Sequence, residues 1–343
     1  PSKGSAVAIA VVKRSPSLPN WLAVSEARTR ASLASFIKLR SVATHMKILA
    51  SVVALCGILS AQSDISGEKI RAHVKFLASD LLEGRQPGTR GGDLATEYIA
   101  TQFALSGAKP AGENGTYFQK VTLIGVNPSP QTQLTWAASD GKQASLKWLD
   151  DFVGVTYQQK TNAAFDAPAV FVGHGIVAPE YQWDDYAGTD VRGKVVVLFT
   201  GEPPSKDPKF FTGEALTYYG RWTYKFEEAA RRGAVGMIVV HETAPASYGW
   251  ATVRNSNTEA MFDVVRARPG DVHPLLEGWI QRSVAAELFA AAGLNFEAEK
   301  KRAQTAEFRP VPLVNSTLSL SYAAKHREVI SQNEVGMIAG SSH

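Results

Sequence analysis

The fold of this chain depends on residues 169–242, which contain AVFVGHGI (169–176), WDDYAGTDVRGKVVVLFTGEPP (183–204) and GRWTYKFEEAARRGAVGMIVVHE (220–242). The apolar run 195–199 lies between Arg, Gly and Lys on one side and Gly and Pro on the other. Such a run is typical of a strand covered on both faces. Residues 237–240 repeat the pattern, so we predict two buried strands.

The segment between these runs predicts a helix. Trp222, Phe226, Ala229 and Ala230 fall on one helical face, and Gly233 follows two arginines where a left-handed C-terminal cap is expected. Two parallel strands joined by a crossover helix are therefore the predicted nucleus of an α/β domain.

Two further helices are predicted upstream. Ser66 can cap the first, whose apolar stripe is Ile70, Val74, Leu77 and Leu81. The second runs from about residue 93 to residue 106 and stops at Gly107. Its predicted inward-facing residues are Ala95, Tyr98, Ile99 and Phe103.

Two stretches resemble known families. The sequence FLASDLLEGRQPGTRGGDLATEYIATQFALSGAKPAGENGTYFQKVTL (76–123) resembles the opening of metallopeptidase family 28, the secreted zinc exopeptidases of the aminopeptidase and glutamate carboxypeptidase type. YAGTDVRGKVVVLFTGEPP (186–204), with the helix ending in EEAARRGAVGMIVVHE (227–242), resembles the protease-associated domain that members of this family carry as an insertion. The resemblance covers roughly residues 66–340.

This resemblance implies a fold class and a domain order. We expect an α/β fold, with the N-terminal helices and first strands of a zinc-exopeptidase domain and an inserted protease-associated domain. The implied segments are residues 62–124 of the peptidase domain, the inserted domain at 125–312, and the first hairpin of the catalytic domain at 313–343.

The last third of the chain gives weaker signals. ASYGWATVRNS (246–256) reads as a loop or short strand, and VAAELFAAAGLNFEAEKKRAQ (284–304) reads as helix interrupted by Gly293. The following alternation predicts a hairpin, with Leu318, Leu320 and Tyr322 on one strand and Val335, Met337 and Ile338 on the other. Such a hairpin would leave an exposed apolar face and an unpaired edge.

The charge of the chain is concentrated at its start. The formal net charge is +4 over 343 residues, but residues 1–61 carry eight basic side chains against one acid, or +7. The remaining 282 residues carry 28 basic against 31 acidic side chains, or −3. This distribution gives no electrostatic case for nucleic-acid binding by the folded part.

Residues 46–61 have the layout of a secretory signal peptide. MKILASVVALCGILSA has one cation, an apolar run and small residues at its end, and the run is too short for a membrane span. We therefore expect a secreted or periplasmic protein. The single cysteine, Cys56, lies in this run directly after Leu55, whereas a lipid anchor would need a small residue there. Cleavage of the signal peptide would remove Cys56 and leave the mature protein without thiol chemistry.

We predict no folded structure for residues 1–45. A transit peptide and an upstream non-native reading frame are the two explanations for this stretch.

The resemblance to metallopeptidase family 28 implies metal chemistry, with two zinc ions, a bridging water that the metals acidify and a glutamate that acts as the base. The family's ligands follow the predicted hairpin, so we assign this chain no catalytic, cofactor-binding or metal residue and expect no zinc to bind it. None of the seven histidines has a second histidine three to five residues away. His241 is the best isolated candidate, although a polar strand end facing a loop explains it more simply, and His343 is interpreted as a terminal residue.

The remaining motifs have structural explanations. Gly173, His174 and Gly175 begin like a dinucleotide loop but lack the third glycine. Asp184 and Asp185 are predicted to be solvated in a turn, as are Glu83 and Arg85. The aromatic residues Tyr218, Tyr219 and Trp222 are expected to pack in a core or interface, with a substrate lid as the alternative.

Two functions are consistent with these observations. The first is the front portion of a secreted zinc-dependent exopeptidase that removes N-terminal residues from peptides, this chain itself being inactive. The alternative is a secreted, non-catalytic protease-associated module that binds a peptide or a partner protein. The sequence leaves the residue preference and the oligomeric state open.

Overall fold

A computed structural model describes residues 65–138, 141–213 and 215–340. The chain divides into two units, residues 1–76 and residues 77–343. The predictions for residues 1–45, for the signal peptide at 46–61 with Cys56, and for His343 lie outside the described residues. Within the described residues, no helix combines the length and the apolarity that a membrane crossing requires.

The first helix, α1, is Gly67–Leu77. It is capped as predicted, because the Ser66 hydroxyl accepts the Lys69 N–H at 3.2 Å. None of its own side chains is buried, and Ile70 and Val74 of the predicted inward stripe are exposed. Helical spacing determines which side chains share a face, but it does not determine whether another element covers that face.

The second helix, α2, is Arg90–Leu105 and begins three residues before the predicted start. Thr89 caps it by accepting the Gly92 N–H at 3.3 Å. The predicted end is confirmed, since Gly107 has φ +81°. Of the predicted inward-facing residues Ala95 is buried, and the larger side chains of that face are partly buried.

The other elements of the second unit complete one large α/β assembly. Its strands are β1 Lys109–Pro110, β2 Phe118–Pro128, β3 Gln133–Ala138, β4 Gln143–Leu146, β5 Phe152–Val155, β6 Asn162–Phe171, β7 Val177–Ala178, β8 Trp183–Asp184, β9 Val195–Phe199, β10 Gly236–His241, β11 Met261–Val264, β12 Leu276–Gln281, β13 Val311–Glu334 and β14 Gly336–Met337. Its remaining helices are α3 Trp222–Arg231, α4 Thr243–Ala246, α5 Trp250–Ser256, α6 Arg282–Ala291 and α7 Phe296–Arg302.

Ten of these strands form one mixed sheet in the order β11-β2-β13-β6-β9-β10-β12-β5, with β3 paired to β13 and β4 to β3. The four strands β6, β9, β10 and β12 are mutually parallel. The predicted parallel pair is confirmed, since Val195 pairs with Gly236 and Phe199 with Val240. The strands at both sides of this parallel centre are antiparallel.

Helices cover both faces of the parallel centre. Alternate side chains of β9, such as Val197 and Phe199, join an apolar core with α6 and α7, whereas Val196 and Leu198 join a second core with α3. Because each strand is covered on both sides, every residue of β9 and β10 is buried. The predicted crossover helix ends as expected, with Gly233 at φ +73°.

The predicted hairpin at 318–338 is wrong. Residues 311–334 form one strand of 24 residues, β13. The first part of β13 pairs with β3 and β6, and from Ala324 onward it pairs with β2. No Gly or Pro occurs between residues 318 and 334, so nothing in that segment turns the chain back. Leu318, Leu320 and Tyr322 are buried, which corrects the expected exposed apolar face, while Met337 and Ile338 are exposed.

The segment 246–256, predicted as a loop or short strand, contains helix α5. It starts after Gly249 and buries Val253. Seven residues are too few for the hydrophobic period to distinguish a helix from a strand. The helices on either side of Gly293 are confirmed as α6 and α7, and Asn295 caps α7 by accepting the Ala298 N–H at 2.9 Å. Strand β2 continues across the predicted domain boundary at 124/125, and β13 continues across the one at 312/313. The limits of the inserted domain stay predictions.

Candidate functional site

A cleft of about 630 Å³ lies at the carboxyl ends of the parallel strands β6, β9 and β10. Ligands of α/β proteins bind at this end of a parallel sheet, because loops and helix termini converge there. The ionisable residues that line it are His174 after β6, Glu202 after β9, Glu242 after β10, Lys206, and Lys300 of α7.

The floor of the cleft is set by a tight turn at residues 173–175. Gly173 and Gly175 both have positive φ, and a β-carbon at Gly175 would lie 2.6 Å from Leu198 Cδ2. Glycine is therefore required by backbone conformation and by space. The sequence Gly173–Gly175 forms a structural turn after β6, in line with the missing third glycine of a dinucleotide loop.

Asp185 supports this turn from below. It is only 1% exposed and accepts hydrogen bonds from the His174 N–H at 3.2 Å, the Ile176 N–H at 3.0 Å and Trp183 Nε1 at 2.8 Å. The prediction that both neighbouring aspartates are solvated is therefore wrong for Asp185 and confirmed for Asp184, which is exposed. Three donors that converge on one carboxylate compensate its loss of water.

Lys225 of α3 is fully buried on the other side of the turn, and its Nζ donates to the His174 carbonyl. Burial lowers the pKa of Lys225 and raises the pKa of Asp185, and the opposite charge of each opposes the shift of the other. A buried charge is costly unless it is paired, so the turn and the two side chains form one mutually dependent unit.

The imidazole of His174 is neutral at physiological pH. Burial, aided by Lys225, lowers the pKa of His174 to about 3. Nδ1 lies 3.2 Å from the Thr200 carbonyl oxygen, so it carries the proton and Nε2 is an acceptor. With so low a pKa, the ring serves as a hydrogen-bond acceptor in the cleft better than as a general base.

Charges of both signs surround the cleft. Lys300 Nζ lies 2.6 Å from Glu242 Oε1, and Arg282 Nε lies 3.5 Å from the same oxygen. Glu202 accepts the Thr217 N–H at 3.0 Å and also the Thr217 hydroxyl. Such a lining suits a ligand that carries both donors and acceptors, such as a peptide segment.

The other predicted candidates lie elsewhere. His241 is buried at the end of β10 and faces the following loop as predicted, with its ring stacked on Tyr248 at 5.5 Å. Neither ring nitrogen has a hydrogen-bond partner in the described part of the chain, and burial lowers the pKa of His241. Glu83 and Arg85 are exposed in their turn, as predicted.

The aromatic cluster ahead of α3 is divided between core and surface. Tyr219 packs on Phe211 at 5.9 Å and Tyr224 at 5.0 Å, in agreement with the predicted packing role. Tyr218 and Trp222 are exposed instead. Trp222 is the exposed first residue of α3, whereas Phe226, one turn later, is buried.

Sequence reasoning missed the burial of Asp185, Lys225 and Glu277 and the position of the partly buried His273. One signal was readable for Glu277, an acid inside the apolar strand LEGWIQ. A second was Lys225, which lies one helical turn before Ala229 on the buried side of α3. Lys225 reaches its partner through a tertiary contact that no local pattern encodes, whereas Glu277 contacts His273, only four residues before it in the sequence.

The described residues do not fit the zinc ions that the family resemblance implies. They contain no group of three or more His, Cys, Asp and Glu side chains able to hold a metal. In the trio Asp263, His273 and Glu277, the imidazole lies between the carboxylates, with Nδ1 2.6 Å from Glu277 Oε1 and Nε2 3.1 Å from Asp263 Oδ2. Both ring nitrogens thus face carboxylates of the chain instead of a metal position.

Comparisons with known proteins show a structural likeness. No family model and no curated protein matches the chain. Among solved structures, it is similar to an aminopeptidase from Aneurinibacillus sp. strain AM-1, with 18% sequence identity and a TM-score of 0.37. The match covers 78% of this chain and 46% of that one, so the chain spans less than half the length of that aminopeptidase.

Proposed function

We propose that this chain is the front portion of a secreted zinc-dependent exopeptidase of the aminopeptidase type, and that its own role is to hold the peptide. The observation that carries this proposal is the order of two sequence patterns, the opening at 76–123 followed by the protease-associated pattern at 186–242. Export by the segment 46–61 is part of the proposal. Zinc and the hydrolytic step belong to residues outside this chain.

The cleft beyond β6, β9 and β10 supports the peptide-holding role. A peptide offers alternating N–H donors and carbonyl acceptors, and its termini carry opposite charges. Neutral His174 supplies an acceptor, Lys300 a cation, and Glu202 an anion within one cleft. These groups can orient a peptide without reacting with it.

Binding and turnover separate the two parts of the proposal. The purified chain is titrated with short peptides that have free termini, and hydrolysis of an aminoacyl anilide is measured with added zinc. We expect saturable peptide binding without turnover. Turnover that a chelator abolishes would contradict the non-catalytic role, and an absence of peptide binding would contradict the holding role.

A matched pair of variants locates the binding. Lys300→Ala removes a cation from the cleft, whereas Lys301→Ala removes an exposed cation from the next position of the same helix, outside the cleft lining. We expect Lys300→Ala to weaken peptide binding roughly tenfold, the usual effect of losing a charged hydrogen bond. Equal effects of the two substitutions would place the peptide elsewhere.

The alternative function, a secreted non-catalytic binding module, is favoured by one observation. The first part of β13 is paired on both sides and buries Leu318, Leu320 and Tyr322, so this region is not an exposed sheet edge. Reading the encoding DNA beyond His343 distinguishes the two proposals. An in-frame segment that contains HxD favours the exopeptidase, and its absence favours the binding module.

A further inference from the structure

A second cavity, of about 270 Å³, lies on the α3 side of the sheet. It is separate from the cleft and shares none of its lining residues. Helix α3 forms one wall through Trp222 and Phe226, and helix α5 forms another through Val253. The sheet contributes β12, whose alternating residues Glu277 and Trp279 both line the cavity.

Five of the twelve residues that line the cavity are aromatic. Trp222 and Trp279 meet edge to face, with ring centroids 6.4 Å apart. Trp222 is 47% exposed and Tyr248 36% exposed, so their rings are accessible from solvent. Tyr157 completes the lining on the side of His273, at 5.3 Å between ring centroids. Accessible aromatic faces attract cations through the negative charge of their π systems.

A single charged group faces these rings. Glu277 is 4% exposed and is the one charged side chain among the described residues that line the cavity. A buried carboxylate is costly unless a cation or donors compensate it. His273 supplies part of that compensation from behind, through the 2.6 Å contact of Nδ1 with Glu277 Oε1. The carboxylate has a second oxygen with which a ligand can pair.

The charges behind Glu277 alternate in sign. Arg266 Nε lies 3.4 Å from Asp263 Oδ2, and the same oxygen lies 3.1 Å from Nε2 of His273, which in turn contacts Glu277. The order is therefore cation, anion, cation, anion, with the last anion at the cavity. A ligand cation would continue this alternation. Burial raises the pKa of Glu277, His273 opposes that rise, and Asp263 and Glu227 add to it through their negative charge, so a ligand cation would favour the charged carboxylate.

We propose that this cavity binds an organic ammonium group on an apolar stem, with Glu277 pairing with the ammonium and Trp222 and Trp279 contacting the stem. A free alkylamine and the side chain of a lysine residue share this chemistry. An uncharged ligand would leave Glu277 without a partner from the cavity side, and an anion would be repelled. The inference does not depend on the proposed peptidase relationship.

Two amines and their neutral counterparts test the proposal. The full chain is titrated with hexylamine, N-acetyl-lysine amide, hexanol and N-acetyl-norleucine amide, with tryptophan fluorescence as one readout and calorimetry as a second. We expect at least one amine to saturate the protein and both neutral probes to bind much more weakly. Binding of hexylamine alone identifies a free amine, and binding of both amines identifies an accepted lysine side chain.

Three variants connect the binding to the cavity. Glu277→Gln removes the charge at constant size and is expected to weaken amine binding roughly tenfold or more. Trp222→Ala removes an exposed ring and is expected to weaken it roughly three- to thirtyfold. Tyr218→Ala is the matched control, since Tyr218 is an exposed aromatic residue just before α3 that does not line the cavity. We expect it to bind amines like the wild type.

Several results would overturn the proposal. Equal binding of lysine and norleucine amides would show an apolar pocket without a preference for cations. Equal losses in Trp222→Ala and Tyr218→Ala would place the amine outside the cavity. No saturable binding of either amine up to roughly 10 mM would exclude a site of useful affinity. Trp222→Ala keeps the test valid if Glu277→Gln fails to fold, because Trp222 lies at the surface.

Discussion

His273 lies between two carboxylates, and this position determines its charge. Burial alone would lower the pKa of His273, but Asp263 and Glu277 outweigh that effect and raise it to about 9. The imidazole is therefore protonated in the folded protein at physiological pH. The contact with Asp263 is a close ionic approach, whereas that with Glu277 is a hydrogen bond of 2.6 Å.

This raised pKa predicts a loss of stability at alkaline pH. The proton on His273 is bound more tightly in the folded state, so the stabilisation is complete below pH 6.5, the ordinary pKa, and is lost as pH rises to about 9. We expect the free energy of unfolding to fall by up to about 3 kcal/mol across this range on account of His273. Urea unfolding at several pH values measures it.

A comparison of variants isolates the contribution of His273. His273→Gln should lack this component of the pH dependence. His326→Gln is the control, because burial lowers the pKa of His326 and its contribution is therefore lost on acidification instead. If the wild type and His273→Gln lost stability in parallel between pH 6.5 and pH 9, the assigned charge of His273 would be wrong.

At the scale of elements, the parallel strands and their crossover helix were predictable. Strands β9 and β10 are continuous apolar runs because both faces are buried, and glycine or proline marks their ends. The cap at Gly233 follows from the need for a positive φ. In these segments the local preference of the chain agrees with its tertiary surroundings.

Elsewhere the local pattern did not contain the answer. In β13 the alternation of residues is the same whether the strand turns back or continues, and the pairing partners β3, β6 and β2 decide between the two. Helix α5 has too few residues for a period to be read. The cleft is a similar case, since Asp185 and Lys225 approach one turn from segments 40 residues apart in the sequence.

The junction between the Asp80–Arg85 turn and α2 gives a prediction for an element. A β-carbon on Gly91 would lie 1.8 Å from the Leu82 carbonyl oxygen, far inside van der Waals contact. Gly91→Ala therefore forces α2 away from the Asp80–Arg85 turn. We expect a loss of about 3 kcal/mol in the free energy of unfolding, the upper range for overpacking. Chemical denaturation of the two proteins measures the difference.

Gly67→Ala is the matched control for this prediction. Gly67 also lies in the first turn of a helix, and a β-carbon there meets nothing within 4 Å. Because alanine favours helix over glycine, we expect stability to be unchanged or higher by up to about 1 kcal/mol. Similar losses in both variants would show that the close approach at Gly91 is not the cause of the loss in Gly91→Ala.

At the scale of the whole molecule, stability is expected to differ strongly between parts of the chain. Every residue of β9 and β10 is buried, and each of the two strands is paired on both sides, β9 with β6 and β10, and β10 with β9 and β12. Helix α1 buries none of its own side chains. Strand β11 is intermediate, since its residues are only partly buried and it pairs with β2 at one end of the sheet.

Hydrogen exchange followed by mass spectrometry tests this order. Amides of β9 and β10 should exchange only on global unfolding, with protection near the full stability of about 5–15 kcal/mol, because exposing them requires both apolar cores to separate. Amides of β11 should exchange sooner, through opening of one edge of the sheet. Those of α1 should exchange first, since opening this helix exposes no buried side chain of its own. If the amides of α1 were protected from exchange as strongly as those of β10, the isolated capped helix could not account for that stability. Side-chain burial would then be the wrong measure of local stability in this protein.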